Sequence, residues 1–327
     1  MGTGQQAGAR HRTLAGLLAV AALAGLALAG CGQATAGNEK GTTMPSEQSS
    51  TQSPAPTTAA AAAAGEERLL VGVYAPDALS SWTSVTEFGQ QAGQPVRYVV
   101  AYLGPDDAFP EQLALEAAAH GAELVLQLEP TMPMARIAAG DDDDYLLRLA
   151  GAIRDYGHPV IVSFAAEANG NWYDYGWTRT PVADYHAGWA QVIQVMRGAA
   201  NITWMDTINR DYEGAGPVAD YVIPGVDLYG IDAYYVSADD TFDTVVLPTL
   251  SQIRAVTDKP VMISETGIGP VSGQVESIPG LVRGAIAHQL AALIYFNSDQ
   301  GTESPYHQDW ALNPAALSAL RQSLKGS

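Results

Sequence analysis

Eight short apolar runs recur along the chain at even spacing, and a stretch with helical periodicity follows most of them. They are LLVGVYA (69–75), VRYVVAYLG (96–104), ELVLQLEP (123–130) and PVIVSFAAE (159–167), then ITWMDTIN (202–209), VDLYGIDAYY (226–235), PVMISETG (260–267) and ALIYFNSD (292–299). Near-continuous apolar strands suit a parallel sheet covered on both faces, since a solvated face would impose alternation. The intervening segments, such as EQLALEAAAHG and PVADYHAGWAQVIQVMRGAA, carry helical spacing. One helix, expected over 141–157, opens on four aspartates where the macrodipole favours acids and closes on Gly157. That acid run reads as a solvated helix cap rather than a metal site. Eight strand–helix units in about 260 residues match a (β/α)8 TIM barrel. An open doubly wound sheet is the alternative, but it seldom needs eight such evenly spaced units.

The barrel also says where chemistry belongs, because reacting groups sit at the C-terminal ends of its strands. Those ends carry Glu129, Glu167, Asp206 with Asn209, Asp232 with Tyr234, Glu265, and Asn297 with Asp299. No Lys, His or Cys stands there, and Arg210 is the one cation nearby. Imidazole or thiolate ligation of a metal is therefore not expected, no cofactor is implied, and a Ser-His-Asp arrangement has no support.

The first 67 residues lie apart from this pattern. Arg10-His11-Arg12 precedes TLAGLLAVAALAGLALAG, in the charge-first order of a secretory signal. The run ends at LAGC, which resembles a bacterial lipobox, and Cys31 is the chain's one cysteine. Residues 1–31 are thus expected to be a lipoprotein signal peptide, with Cys31 the lipid attachment point. The alternative is an uncleaved membrane anchor. With no second cysteine, no internal disulfide can form, so the fold must rest on its core. Residues 32–67, rich in Ser, Thr, Gln, Pro and Ala, are expected to be a disordered tether. Residues 68–327 form the barrel domain, expected to be monomeric and exported to the bacterial cell surface, on the outer face of the cytoplasmic membrane.

The formal charge is −19. Losing Arg10 and Arg12 with the signal leaves 14 basic against 35 acidic residues, or −21. Such a surface repels phosphates, which sets nucleic acid aside as a partner and suits a neutral substrate. Membrane contact would come through the lipid alone.

Glycosidic bonds are cut by two carboxyl groups, one protonating the leaving oxygen and the other attacking the anomeric carbon or activating water. Glu167 and Glu265, on the fourth and seventh strands, would face each other across the barrel mouth. A separation of about 5–5.5 Å implies a covalent intermediate and retained configuration. Trp172, Tyr173, Tyr175 and Trp177 follow Glu167 at once. Ring faces and amides are the companions a sugar needs, since it offers apolar C–H faces and many hydroxyls.

The segment VSFAAEANGNWYDYGW (162–177) resembles the acid/base segment of glycoside hydrolase family 26, and KPVMISETG (259–267) is similar to its nucleophile strand. LQLEP (126–130), GVDLYGIDAYY (225–235) and ALIYFNSD also find counterparts there, so the likeness spans most of the barrel. The resemblance implies Glu167 as acid/base, Glu265 as nucleophile and Tyr234 as the residue orienting it. It further implies that Asn169, Trp172 and Tyr295 line the sugar site. Glu129 either binds sugar or supports Glu167. Family members mostly hydrolyse β-1,4-mannan, with β-glucan and β-1,3-xylan specialists, and act by double displacement.

This chain departs from the family pattern at three places. Ala166 stands where the family has His, Ala168 where it has Met, and Ser163 where it has Arg. Loss of a transition-state hydrogen bond costs on the order of 10²–10³ in rate. A carbohydrate-binding lipoprotein with weakened turnover is accordingly the second reading. Asp232 is expected to be structural, and Asp206 and Asp299 are balanced between structure and function. Trp204 is expected in the core, while Trp82 and Trp310 suit outer subsites or packing equally.

Overall fold

The structure, a computed structural model, describes residues 68–269, 271–300 and 308–325. The expected signal peptide, Cys31 and the tether lie outside the described residues. Eight parallel strands close into a barrel in sequence order: β1 (Leu70–Tyr74), β2 (Tyr98–Leu103), β3 (Glu123–Leu128), β4 (Val160–Phe164), β5 (Ile202–Asn209), β6 (Leu228–Asp232), β7 (Val261–Thr266) and β8 (Ala292–Phe296). The ring closes where β1 pairs with β8, from Leu70 opposite Ala292 to Tyr74 opposite Phe296. The (β/α)8 TIM barrel expected from the spacing is the fold observed.

Strand alternation divides the apolar residues into two cores. Leu70, Tyr98, Val125, Ile161, Met205, Met262 and Ile294 fill the barrel interior. Residues of opposite parity, including Val71, Leu124, Val162, Ile208 and Leu293, pack outward against the helices. Both faces of every strand are buried, which is why the runs read as continuous rather than alternating. Above the apolar floor the interior turns polar: Ser163 Oγ lies 2.8 Å from Thr207 Oγ1, and Ser264 Oγ donates to Asp232 Oδ1 at 2.6 Å. Gly230 is required there, because a Cβ would fall 2.3 Å from Ser264 Oγ and 2.9 Å from Thr207 Oγ1.

The helix Asp143–Tyr156 starts two residues later than the acid run suggests. Gly157 closes it in the left-handed region, its N–H reaching Ile153 O. Asp141 pairs with Arg136 at 2.7 Å on the surface, and Asp143 accepts from Gln191. Asp143 and Asp144 stand in the first turn, and the N-cap Asp142 makes no side-chain capping bond. Among the described residues, no group of three His, Cys, Asp or Glu could hold a metal ion, and no helix is long and apolar enough to cross a membrane.

Two irregularities shape the mouth. Along β7, Met262 points inward and Ile263 outward, so strict alternation would turn Glu265 outward. Instead Ile231 pairs with Ile263 but Asp232 pairs with Glu265, so β7 carries one extra residue. That bulge returns Glu265 to the interior, a re-aiming that bulges beside functional sites perform. After β4, Ala165 and Glu167 take positive φ values of 49° and 60°. This left-handed backbone is costly for residues with a Cβ. It is fixed by Ala165 N donating to Leu128 O and Glu167 N donating to Thr207 O at 2.8 Å.

Candidate active site

Glu265 lies at the end of β7 with only 5% of its surface exposed. Two phenols hold it: Tyr234, just past β6, donates to Oε1, and Tyr102 on β2 donates to Oε2. Burial and the adjoining Glu265 charge push both tyrosines well above the usual phenol range, so they remain protonated donors.

Glu167 is 8% exposed and receives N–H donors instead. Trp172 Nε1 donates to its Oε2 at 3.0 Å, and Asn209 Nδ2 to its Oε1. The tryptophan reaches back because the segment after β4 folds tightly. Trp177 N donates to Ala168 O at 2.8 Å, and a Cβ on Gly170 would fall 2.4 Å from the Trp172 ring. The Asn-Gly-x-Trp order thereby has a steric reason: only glycine leaves room for the indole.

Asn169, expected at the sugar site, sits between the segment after β4 and the end of β5. It is fully buried, its Nδ2 donating to Asn209 O and its Oδ1 accepting from Asn209 N, both at 2.9 Å. Its own carbonyl accepts from Gly216 N. Asn169 bolts the segment after β4 to the end of β5, and the amide facing Glu167 is that of Asn209.

Tyr295, also expected at the sugar site, lies on β8. It is 1% exposed and belongs to the outer core, where its hydroxyl accepts from Ile268 N at 3.0 Å. The next residue, Phe296, has the inward parity. Its ring stacks on Tyr74 with centroids 4.4 Å apart and meets Tyr234 edge-on at 6.0 Å.

Glu129, half-buried just past β3, accepts from Tyr173 OH at 3.1 Å, and Tyr173 stacks on Tyr175 at 4.7 Å. Asp232 is buried beside Ser264, and its carboxyl is held well above the ordinary range by burial and by the charges of Glu265 and Glu167. Asn209, which donates to Glu167, pairs with Asp232 across β5 and β6, and Asp232 pairs with Glu265 across β6 and β7, so both glutamates stand at the same end of the barrel. Tyr234 and Tyr173 also feel both charges. Trp172 stacks on Tyr212 at 6.1 Å on one side of the mouth, and Trp310 packs on Tyr234 at 4.6 Å on the other.

The other strand-end residues serve the scaffold. Asp206 points outward and accepts from Ile223 N at 2.8 Å. Asn297 Oδ1 accepts from Leu312 N, and Asp299 forms a backbone bridge with Asp309. Trp204 packs edge-on against Trp189, and Trp82 stacks on His120. Sequence reasoning gave no role to Tyr102, Asn209, Tyr74 or Phe296. Strand parity was the available signal, since Tyr98, Tyr102 and Phe296 share the inward set of their strands.

No protein-family model matches the chain. Among curated proteins, Endoglucanase H of Acetivibrio thermocellus is 26% identical over 228 residues, covering 63% of this chain. The chain spans 24% of that protein's length. Among solved structures, a family 26 β-mannanase from Bacteroides ovatus superposes with a TM-score of 0.60 at 16% identity, covering 82% of this chain and 92% of that one. A β-mannanase from a symbiotic protist of the termite Reticulitermes speratus, complexed with a gluco-manno-oligosaccharide, gives 0.60 at 16% identity over 84% and 93% of the two chains. The barrel built from these eight strands is thus the fold of the glycoside hydrolase family 26 β-mannanases.

Proposed function

We propose that the chain is a retaining glycoside hydrolase acting on a neutral β-linked polysaccharide, with β-1,4-mannan the first candidate. The observation that carries this reading is the pair of buried carboxylates, Glu167 and Glu265, linked at one end of the barrel through Asn209 and Asp232. The two differ in their surroundings as the two roles require. Glu265, fixed at both oxygens by phenols, is aimed and held as an anion. Glu167 receives N–H donors instead, from Trp172 and Asn209.

In the first step Glu265 bonds to the anomeric carbon while the bond to the leaving sugar breaks, and that oxygen takes the Glu167 proton. In the second, Glu167 removes a proton from water, the water oxygen bonds to the same carbon, and Glu265 departs as carboxylate. Tyr74, Phe296, Trp172 and Tyr212 offer ring faces to the sugars. Mannan comes first because both structural relatives above are described as β-mannanases, while the curated relative's name points to β-glucan. A net-negative chain with no Lys at the strand ends disfavours anionic glycans.

Reducing-sugar release from mannan, lichenan and xylan tests the reading. Wild type is expected to release sugar from at least one of them, and Glu265→Ala to lose at least 10³-fold in kcat. Equal release by both proteins would remove the enzyme. The lipid anchor is part of the proposal: Cys31→Ser should move the protein from the membrane fraction to the medium, and unchanged retention would exclude lipidation.

A further inference from the structure

We propose that Tyr102 is a second positioning residue for the nucleophile, forming with Tyr234 a two-phenol clamp that holds both oxygens of Glu265. The inference rests on the glycosidase reading for its catalytic consequence, but the clamp itself is a matter of geometry.

The two phenols arrive from opposite directions. Tyr234 comes from the segment after β6, one strand away from β7, whereas Tyr102 comes across the mouth from β2. A single donor would leave the carboxylate free to rotate about its last bond. Donors on both oxygens fix the plane of the group. Phe296 braces both, meeting Tyr102 edge-on at 6.5 Å and 62° and Tyr234 at 6.0 Å and 71°. Tyr74 closes the frame, edge-on to Tyr102 at 5.2 Å and stacked on Phe296. These rings are wedged, so the hydroxyls are aimed before any substrate arrives.

Titratable groups that face Glu265 include Tyr74 on β1, Tyr102 on β2, Tyr173 after β4, Asp232 on β6 and Tyr234 after it, with Glu167 sharing Asp232 as neighbour. Both phenols donate to the carboxylate, and donation of this kind stabilises its charged form. In the first step this donation keeps Glu265 ionised for attack. In the second, a donor on the carbonyl oxygen of the glycosyl ester stabilises the carboxylate as it leaves.

The experiment uses the full chain with ¹³C-carboxyl-labelled glutamate, the Glu265 resonance being assigned by its loss in Glu265→Gln. Tyr102→Phe deletes one hydroxyl and keeps the ring. It is expected to raise the Glu265 titration midpoint by about one pH unit, as removal of a donor to the charged form requires. Turnover of an aryl β-mannobioside should fall about 10- to 100-fold, with the acid limb of its pH profile shifted upward. An unmoved midpoint with unmoved turnover overturns the clamp. A raised midpoint in Tyr102→Phe, with a wild-type protein that hydrolyses no glycan, upholds the clamp and removes the glycosidase reading. If Tyr102→Phe fails to fold, the Tyr234→Phe and Phe296→Leu proteins carry the test. Each should raise the midpoint, and if neither does, the clamp is overturned.

Discussion

At the scale of single residues, the mouth is organised by what each polar atom already holds. Asn169 spends its whole amide on the Asn209 backbone, so its substitution acts on the acid/base at one remove. Asn169→Ala frees Asn209, which in turn no longer steadies Glu167. We expect kcat/KM on mannan to fall about 10- to 100-fold, while kcat/KM on a dinitrophenyl glycoside, whose leaving group needs no proton, changes little. Equal losses on both substrates would contradict that assignment. Tyr295 offers the opposite contrast. Tyr295→Phe removes the acceptor for Ile268 N and should cost about 1 kcal/mol in denaturant unfolding, with KM unchanged. These residues also mark where the chain could be read. The strand-end places of Glu167 and Glu265 were legible from the apolar runs that they close. The partner of Asn169 was not, since it is backbone reached only through the left-handed turn at Glu167. Nor was the outward parity of Tyr295, because ALIYF is apolar on both faces.

At the scale of elements, the barrel was legible as eight apolar runs, and their order became the ring without change. What the runs could not reveal is the extra residue in β7, which has no compositional mark yet decides where Glu265 points. The polar layer beneath depends on that same crowding. Gly230→Ala would drive a methyl into Ser264 and Thr207, and we expect it to destabilise the fold by about 1–3 kcal/mol, measured by denaturant midpoint. Because Ser264 supports Asp232 beside Glu265, the same variant should lose activity at temperatures where it remains folded. Full activity in a folded Gly230→Ala protein would show that the layer is not coupled to the mouth.

At the scale of the whole molecule, stability depends on buried acids outside the mouth. Burial raises Asp206 from its ordinary range to about 7. A carboxyl with a raised folded value stabilises the fold fully below its unfolded value near 4, and that contribution is lost as pH rises toward 7. Asp206→Asn should therefore flatten the fall in Tm between pH 5 and pH 8. At pH 8 it should gain up to roughly 4 kcal/mol over wild type, the free energy of a shift of that size. A variant less stable than wild type at both pH values would refute the assignment.

The account as a whole turns on Glu265 forming a bond to the same sugar carbon that Glu167 serves as acid and base. Incubation with an activated 2-deoxy-2-fluoro β-mannobioside, followed by intact-mass measurement and peptide mapping, tests this most directly. A single glycosyl adduct on the peptide containing Glu265, absent in Glu265→Ala, is the expected result. An adduct on another residue, or hydrolysis that releases the α-anomer first with no adduct formed, would contradict it.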